Sequence, residues 1–146
     1  MEQSYAAENK AERARLKAVV DRLTDADLAR PMSKDWTVGV GLMHLAFWDG
    51  LSLAKFEEWE RTGEVQIPPM RDMVDGINQA MVPWWRTIAP AQVKHAVVVA
   101  AEAVDRKAEM LPAPIIEAIL ALRPQSLRRA NHRRQHLDQI ERTLAG

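Results

Sequence analysis

The chain has 146 residues, a length that fits one domain with a core of its own. Its 20 basic and 20 acidic residues give a formal net charge of zero, which argues against nucleic acid or an anionic membrane as a partner. The absence of cysteine excludes disulfides, thiolate metal ligands and a cysteine nucleophile. The polar N-terminus lacks a signal-peptide pattern, and no apolar run approaches the roughly 18 residues of a membrane span. We therefore expect one soluble, cytoplasmic domain covering residues 1–146.

Apolar residues recur at helical spacing along most of the chain, and local start and stop signals divide it into helices. Thr24 and Asp27 have the spacing of a capping box, and Pro31 ends the regular structure that follows. Thr37 is the predicted N-cap of the second helix, and Gly63 is its C-terminal stop signal. The predicted helices cover about 2–23, 37–61, 72–83, 90–110, 115–122 and 124–144, with a polar connection at 32–35.

Residues 97–101, Val-Val-Val-Ala-Ala, form an apolar run that could also be a strand. Its flanks, Lys94 and the charged segment 102–109, favour a helix that continues on both sides. With this segment helical, the prediction is an all-α four-helix bundle in which short linkers join four main helices. Cofactor sites in such bundles are built in the core from side chains on facing helices.

His132 and His136 are two of only four histidines, and they lie four residues apart in the last predicted helix. Side chains at this spacing share a helix face, with Cβ atoms about 6 Å apart, so both imidazoles could bind one divalent ion. At 100° per residue, Ile140 lies about 40° from His136, which puts the pair at the border of the buried stripe. Two surface polar residues are the alternative for this pair. Catalytic zinc sites usually have three protein ligands, so a third ligand is required.

His44 is the candidate that the second predicted helix offers. It shares a helix face with four apolar residues, Val40, Phe47, Trp48 and Leu51, so its imidazole points into an apolar interior. A neutral histidine satisfied by a backbone carbonyl is the alternative to a metal ligand there. Gly39 and Gly41 each weaken this helix by up to ~1 kcal/mol relative to Ala, which indicates a close approach of another backbone or a ligand.

The segment 36–49, Trp-Thr-Val-Gly-Val-Gly-Leu-Met-His-Leu-Ala-Phe-Trp-Asp, resembles the DinB/YfiT-like superfamily. That superfamily includes the metal-binding domain of mycothiol-dependent maleylpyruvate isomerase and the bacillithiol transferases. Its members typically carry a Trp followed eight positions later by His-Leu-Ala on the second helix of a four-helix bundle, and an HxxxH pair on the last helix. Trp36, His44, His132 and His136 match this pattern, and an Ile-Asn step at 77–78 precedes the third long helix.

The resemblance implies that His44, His132 and His136 bind one divalent metal ion, usually zinc or nickel, with water at the open positions. It implies a metal more strongly than a reaction, because many members have no known reaction. Nothing in this chain specifies a particular low-molecular-weight thiol.

Two further polar residues are candidates near this site. Arg129 lies on the histidine face one turn before His132, where it could orient an anionic substrate carboxylate by a bidentate contact. Asp49 could accept a hydrogen bond from a ligand histidine, although it could equally be a surface charge.

The remaining charged residues of the last helix are expected to form a solvated face, because their angles do not make a single stripe that could contact nucleic acid. These residues are Arg128, Arg133 and Arg134, with Arg134, Asp138 and Arg142 as a charge ladder. His95 has no partner at ligand spacing and is expected to be a structural or surface residue.

Tryptophans are expected to fill the core or a groove. Trp84 and Trp85 are adjacent, so they cannot both face inward, and one of them could line a pocket mouth or a homodimer interface.

Two functions are compatible with these patterns. In the first, the metal activates a low-molecular-weight thiol or a water molecule. The activated group then takes part in a transfer, an isomerisation or a hydrolysis of a small-molecule substrate. In the second, the protein is a non-catalytic helical-bundle binding or interaction protein with a structural or vestigial metal site. Three histidines beside a pocket would favour the enzyme, and a fourth protein ligand would favour the structural metal.

Overall fold

A computed structural model of the protein describes residues 4–33 and 35–146. Its helices are α1 (Ser4–Arg22), α2 (Asp25–Leu28), α3 (Val38–Thr62), α4 (Val74–Trp85), α5 (Pro90–Met110), α6 (Ala113–Leu122) and α7 (Arg129–Ala145). Two short strands, β1 (Pro31–Ser33) and β2 (Trp36–Thr37), and two 3-10 turns, Arg71–Met73 and Pro124–Ser126, complete the described elements. The prediction of a predominantly helical chain is confirmed. Residues 2, 3 and 34, which belong to the predicted first helix and first connection, lie outside the described residues.

The predicted helix ends are confirmed by their hydrogen bonds. The backbone nitrogen of Asp27 donates to Thr24 Oγ1 at 3.1 Å, and the backbone nitrogen of Thr24 donates to Asp27 Oδ2 at 3.0 Å, which completes the capping box. Thr37 Oγ1 accepts from the backbone nitrogen of Val40 at 3.2 Å and caps α3. Gly63 ends α3 with a φ of 73°, a left-handed conformation that favours glycine. The valine-rich segment lies inside α5, as predicted.

Three local predictions differ from the structure. The predicted connection 32–35 contributes to an antiparallel strand pair in which Pro31 lies opposite Thr37 and Ser33 opposite Trp36. The last helix begins at Arg129 instead of residue 124, because the backbone after Pro124 first makes tighter turns with bonds between residues three apart. Helix α4 continues through Pro83 to Trp85, since a proline close to a helix end interrupts only the last turn.

The four longest helices make the main packing contacts of the fold. Helices α3 and α1 each pack against both α5 and α7, and α4 packs against α3. Buried apolar side chains from these helices form the core, and this packing brings α3 against α7. None of the helices in the described ranges combines the length and apolar character needed to cross a lipid bilayer.

The chain itself explains the two glycines at the start of α3. A Cβ at Gly39 would lie 3.3 Å from the backbone oxygen of Leu28, and a Cβ at Gly41 would lie 2.8 Å from the methyl group of Met32. The close approach expected there therefore comes from α2 and β1, which fold over the first turn of α3, and it needs no ligand.

Candidate metal centre

The imidazoles of His44, His132 and His136 converge between α3 and α7. Their ring centroids are 4.5 to 4.8 Å apart in each of the three pairs. One potential ligand atom from each ring lies within 4.8 Å of the others, and Nε2 of His44 is 2.9 Å from Nε2 of His132. The structure thus brings together all three residues that the sequence analysis assigned to the site. Within residues 4–33 and 35–146, no aspartate, glutamate or further histidine joins this group.

Hydrogen bonds on the far side of the His44 ring determine which of its nitrogens is free. Trp48 Nε1 lies 2.8 Å from Asn78 Oδ1, and because an indole nitrogen can only donate, the Asn78 atom in this position must be the oxygen. The same oxygen is 3.2 Å from His44 Nδ1, so Nδ1 carries the proton and donates. The lone pair of His44 is therefore on Nε2, the nitrogen that faces His132.

A similar contact orients His136. Its Nδ1 is 2.9 Å from Gln139 Oε1, one turn further along α7. With the amide oxygen as acceptor, Nδ1 donates and the lone pair of His136 is on Nε2. Ligand histidines in metalloproteins are held in the same manner, by an acceptor on the ring nitrogen that does not bind the metal. The sequence analysis did not predict that Asn78 and Gln139 accept hydrogen bonds from the histidines. Asn78 was named there only as part of the family resemblance, and Gln139 could have been found from its spacing to His136.

Burial keeps the three imidazoles neutral. Burial, and then the neighbouring His136, lower the pKa of His44 from 6.5 to about 4, although the hydrogen bond to Asn78 acts in the opposite direction. Burial, followed by the nearby histidines and arginines, lowers the pKa of His132 to about 2. Burial also lowers the pKa of His136, against the effect of its bond to Gln139. Neutral imidazoles are the form that binds a metal ion, so these residues are competent ligands at neutral pH.

Tryptophans enclose the histidine group. The ring of Trp36, from β2, stacks on His136 at an interplanar angle of 22° and lies 4.8 Å from the ring of His44. Trp85, from α4, meets the His44 ring edge-on at 6.0 Å. The short strand pair that the sequence analysis missed therefore has a clear role, because it holds the Trp36 ring against the histidines.

An open pocket of about 860 Å³ reaches the histidine group from one side. Its wall includes His44 and His132, and it extends along α3 past Trp48 and Ser52. The loop after α3 and the turn before α7 supply the remaining walls. A small molecule in this pocket could contact the two histidines directly.

Arg129, the residue that the sequence analysis assigned to a substrate carboxylate, also lines this pocket. Its Nε donates to Asp49 Oδ1 at 3.0 Å. Among the described residues, no hydrogen bond or ion pair engages the two terminal nitrogens of Arg129, which are therefore available to a ligand.

Asp49 differs from its predicted role as an acceptor for a ligand histidine. Its carboxylate oxygens accept from Arg129 and, at 3.2 Å, from Arg133, while Asn78 and Gln139 serve the histidines. The reason is position: Asp49 lies five residues after His44, which rotates it by about 140° around α3 and turns it toward the arginines of α7.

Arg133 contradicts the prediction of a solvated face, because its side chain is completely buried. Nη1 and Nη2 donate to the two oxygens of Asp105 at 2.8 and 2.7 Å, and Arg13 also pairs with Asp105. The signal that could have predicted this burial is its helical angle, since Arg133 lies at about +60° from His136, between Ile140 and Leu137. One ionic network thus joins α1, α3, α5 and α7; it consists of Arg13, Asp49, Asp105, Arg129 and Arg133.

The remaining predictions for the surface of α7 were partly correct. Arg128 and Arg134 are exposed, as expected. Instead of forming the predicted ladder within α7, Arg134 pairs with Glu12 and Asp138 pairs with Arg15, both on α1. His95 is exposed on α5 and does not belong to the histidine group.

The donor set fits a divalent cation. His44 Nε2 carries a lone pair, so in the absence of a metal His132 Nε2, 2.9 Å away, can donate a hydrogen bond to it, and a bound cation would take the place of that shared proton. Imidazole nitrogens bind zinc at about 2.0–2.1 Å, so three nitrogens within this spacing can bind one ion with only small side-chain adjustments. Without thiolates or carboxylates, the set suits zinc, nickel or copper better than magnesium or calcium.

The chain was compared with protein families, curated proteins and solved structures. No family model, no curated protein and no solved structure matches the chain significantly.

Proposed function

We propose that this protein is a DinB-like four-helix bundle that binds zinc or nickel through His44, His132 and His136 and catalyses a thiol-dependent transfer or isomerisation, or a hydrolysis, on a small-molecule substrate. The observation that supports this most directly is the convergence of three neutral imidazoles, two of which, those of His44 and His132, line an open pocket. When bound, a divalent ion supplies a Lewis acid that lowers the pKa of a thiol or water beside it.

The side chains around the histidines have defined tasks in this proposal. Asn78 and Gln139 hold His44 and His136 with their Nε2 lone pairs toward the centre. Trp36 packs against the rings of His136 and His44 and limits the access of bulk water to them. Arg129 is available to bind an acidic group of the substrate through its terminal nitrogens. Because the chain has no cysteine, a nucleophilic sulfur would have to come from a low-molecular-weight thiol as co-substrate.

The ligand count supports a catalytic over a structural metal. Structural zinc sites generally have four protein ligands, whereas catalytic sites have three and keep a position open. The group has three histidines among the described residues, and the pocket lies beside them.

The decisive experiment is elemental analysis of the protein, purified without a metal-binding tag, together with three variants. We expect about one zinc or nickel ion per wild-type chain, loss of the metal in His44→Ala and His136→Ala, and retention in His95→Ala, the matched exposed control. Circular dichroism would establish that the variants are folded. As a second measurement on the wild type alone, Co²⁺ titration should give the visible absorption of a cobalt site with nitrogen ligands. A wild-type protein that carries no metal and cannot be loaded with Co²⁺ would contradict the proposal.

A second candidate function is a non-catalytic interaction protein, and one observation favours it. Trp84 is 68% exposed on α4, a high value for so large an apolar side chain. This function predicts a homodimer or a bound partner that covers Trp84, and it does not require the pocket to bind a small molecule.

A further inference from the structure

The pocket beside the histidines is locally cationic, although the chain as a whole has a net charge of zero. Among the residues that the structure describes, one acidic residue, Asp75, and four basic residues line it; the basic residues are Lys55, Arg71, Arg123 and Arg129. Arg129 is partly neutralised by Asp49. Lys55 and Arg123 belong to no ion pair among the described residues. An excess of unpaired positive charge in a concave site attracts and binds anions.

Lys55 lies on the same stripe of α3 as His44. The two residues are separated by eleven positions, which brings them within about 20° of each other around the helix and about 16 Å apart along its axis. Trp48 and Ser52 occupy the stripe between them and line the pocket. The pocket is therefore elongated, with the histidines toward one end and Lys55 toward the other.

The arrangement around Lys55 places like charges near one another. Its ammonium group lies 6.0 Å from the centre of the Trp59 ring, the contact that the structure gives it. Burial lowers the pKa of Lys55, and the positive charges of Arg123 and Arg129 lower it further. A bound anion would relieve this repulsion and would stabilise the charged amine.

The walls between the two ends are largely apolar. Phe56 from α3, the loop segment 67–70 and Val74 line the pocket together with the basic residues. This combination suits a molecule with a carbon skeleton in its middle and an anionic group at one end.

We propose that Lys55 and Arg123 form an anion-binding subsite, which holds the carboxylate or phosphate of an elongated substrate whose reactive end lies at His44 and His132. This inference rests on the proposed function for the reactive end. The subsite itself depends only on the two cations and the pocket, so the two proposals can fail separately.

The test uses Co²⁺-loaded protein and thiols of graded length. Mercaptohexanoate, mercapto-octanoate and mercaptododecanoate are titrated beside the uncharged mercapto-alcohols of the same lengths, with the thiolate-to-cobalt absorption as the readout. A charged hydrogen bond typically contributes about 1.5–3 kcal/mol, so an acid of the right length should bind roughly ten- to a hundredfold more tightly than its alcohol. A mercaptoalkyl phosphate of that length distinguishes the two anions, since the tighter binder identifies the preferred group.

Variants then assign the effect to the two residues. In Lys55→Gln with Arg123→Gln, acid and alcohol should bind equally, whereas the matched surface controls Lys10→Gln and Arg106→Gln should keep the full difference. Equal binding of acids and alcohols by the wild type, or a preference that survives the double substitution, would overturn the subsite.

A measurement without metal separates this proposal from the metal site. Octanoate and octyl phosphate should raise the melting temperature of the metal-free wild type, and octanol should not. The double variant should lose most of the response to the anions, because only Arg129 and Arg71 then remain as cations in the pocket. If Co²⁺ or the thiols fail to bind but these shifts are observed, the proposed reaction is wrong and the anion subsite stands. If the shifts are absent while thiols bind cobalt, the subsite is wrong and the metal site stands.

Discussion

The indole nitrogen of Trp48 donates to Asn78 Oδ1 at 2.8 Å, and this contact sets the orientation of an amide that in turn sets the protonation of His44. Two side chains that do not belong to the histidine group thus determine which nitrogen of His44 presents its lone pair. Such outer hydrogen bonds typically change metal affinity by ten- to a hundredfold when they are removed.

Asn78→Ala should therefore weaken zinc binding by roughly tenfold or more without removing a ligand. Asn78→Asp keeps an acceptor for His44 Nδ1 and should retain the affinity. Competition with a chromophoric chelator measures both variants against the wild type. Equal losses in Asn78→Ala and Asn78→Asp would show that the Asn78 acceptor does not orient His44.

The metal-free protein should lose stability on acidification between about pH 7 and pH 5. The folded-state pKa values of His44, about 4, and His132, about 2, lie below the ordinary 6.5, so in this window the unfolded chain binds more protons than the folded chain. The free energy of unfolding therefore falls as the pH falls below 6.5, by up to about 1.4 kcal/mol per pH unit for each such histidine.

Urea unfolding in the presence of a chelator measures this slope. His132→Gln removes one of the titrating groups and should reduce the slope, and His95→Gln should leave it unchanged. A stability that stays constant from pH 7 to pH 5 would contradict the assignment of neutral, buried imidazoles.

Arg133→Met should destabilise the protein by about 3–5 kcal/mol, because it leaves the buried carboxylates of Asp49 and Asp105 without their shared partner. The neighbouring Arg134→Met is the matched control. It removes an exposed pair with Glu12 and should cost less than about 1 kcal/mol.

Adding Asp105→Asn to Arg133→Met should recover part of the loss, since the second substitution removes a buried carboxylate that has only Arg13 left as a partner. Urea denaturation of the four proteins provides the comparison. Equal costs for Arg133→Met and Arg134→Met would mean that the buried network contributes no more than a surface pair.

The two adjacent tryptophans of α4 should respond differently to truncation. Trp85 is 4% exposed and packs against Val40 and Phe47, so Trp85→Ala should cost about 3–5 kcal/mol. Trp84→Ala should change stability by no more than about 0.5 kcal/mol in a monomer.

Size-exclusion chromatography coupled to light scattering completes this test, because Trp84 would lie in the interface of a homodimer. Loss of a dimer in Trp84→Ala would favour the interaction function. If the wild type is monomeric and Trp84→Ala does not change the free energy of unfolding, the interaction function loses its main support.

The sequence by itself determined the helices, most of their ends and the three histidines. These features are local: a capping box, a left-handed glycine and a four-residue histidine spacing depend on neighbouring residues, and helical angles follow from the residue period alone. The helical period also predicts that His44 points inward. It predicts as well that the adjacent Trp84 and Trp85 cannot both lie in the core.

Only the tertiary structure decided the partners of each polar side chain. Arg133 carries a charge that suggests exposure to solvent, yet it is buried because Asp49 on α3 and Asp105 on α5 neutralise it. Asn78 becomes the acceptor for His44, and Lys55 and Arg123 line one pocket, through contacts between residues far apart in the chain. A single sequence carries no direct signal for such pairings, because the energy of a buried charge or hydrogen bond depends on the partner that packing brings to it.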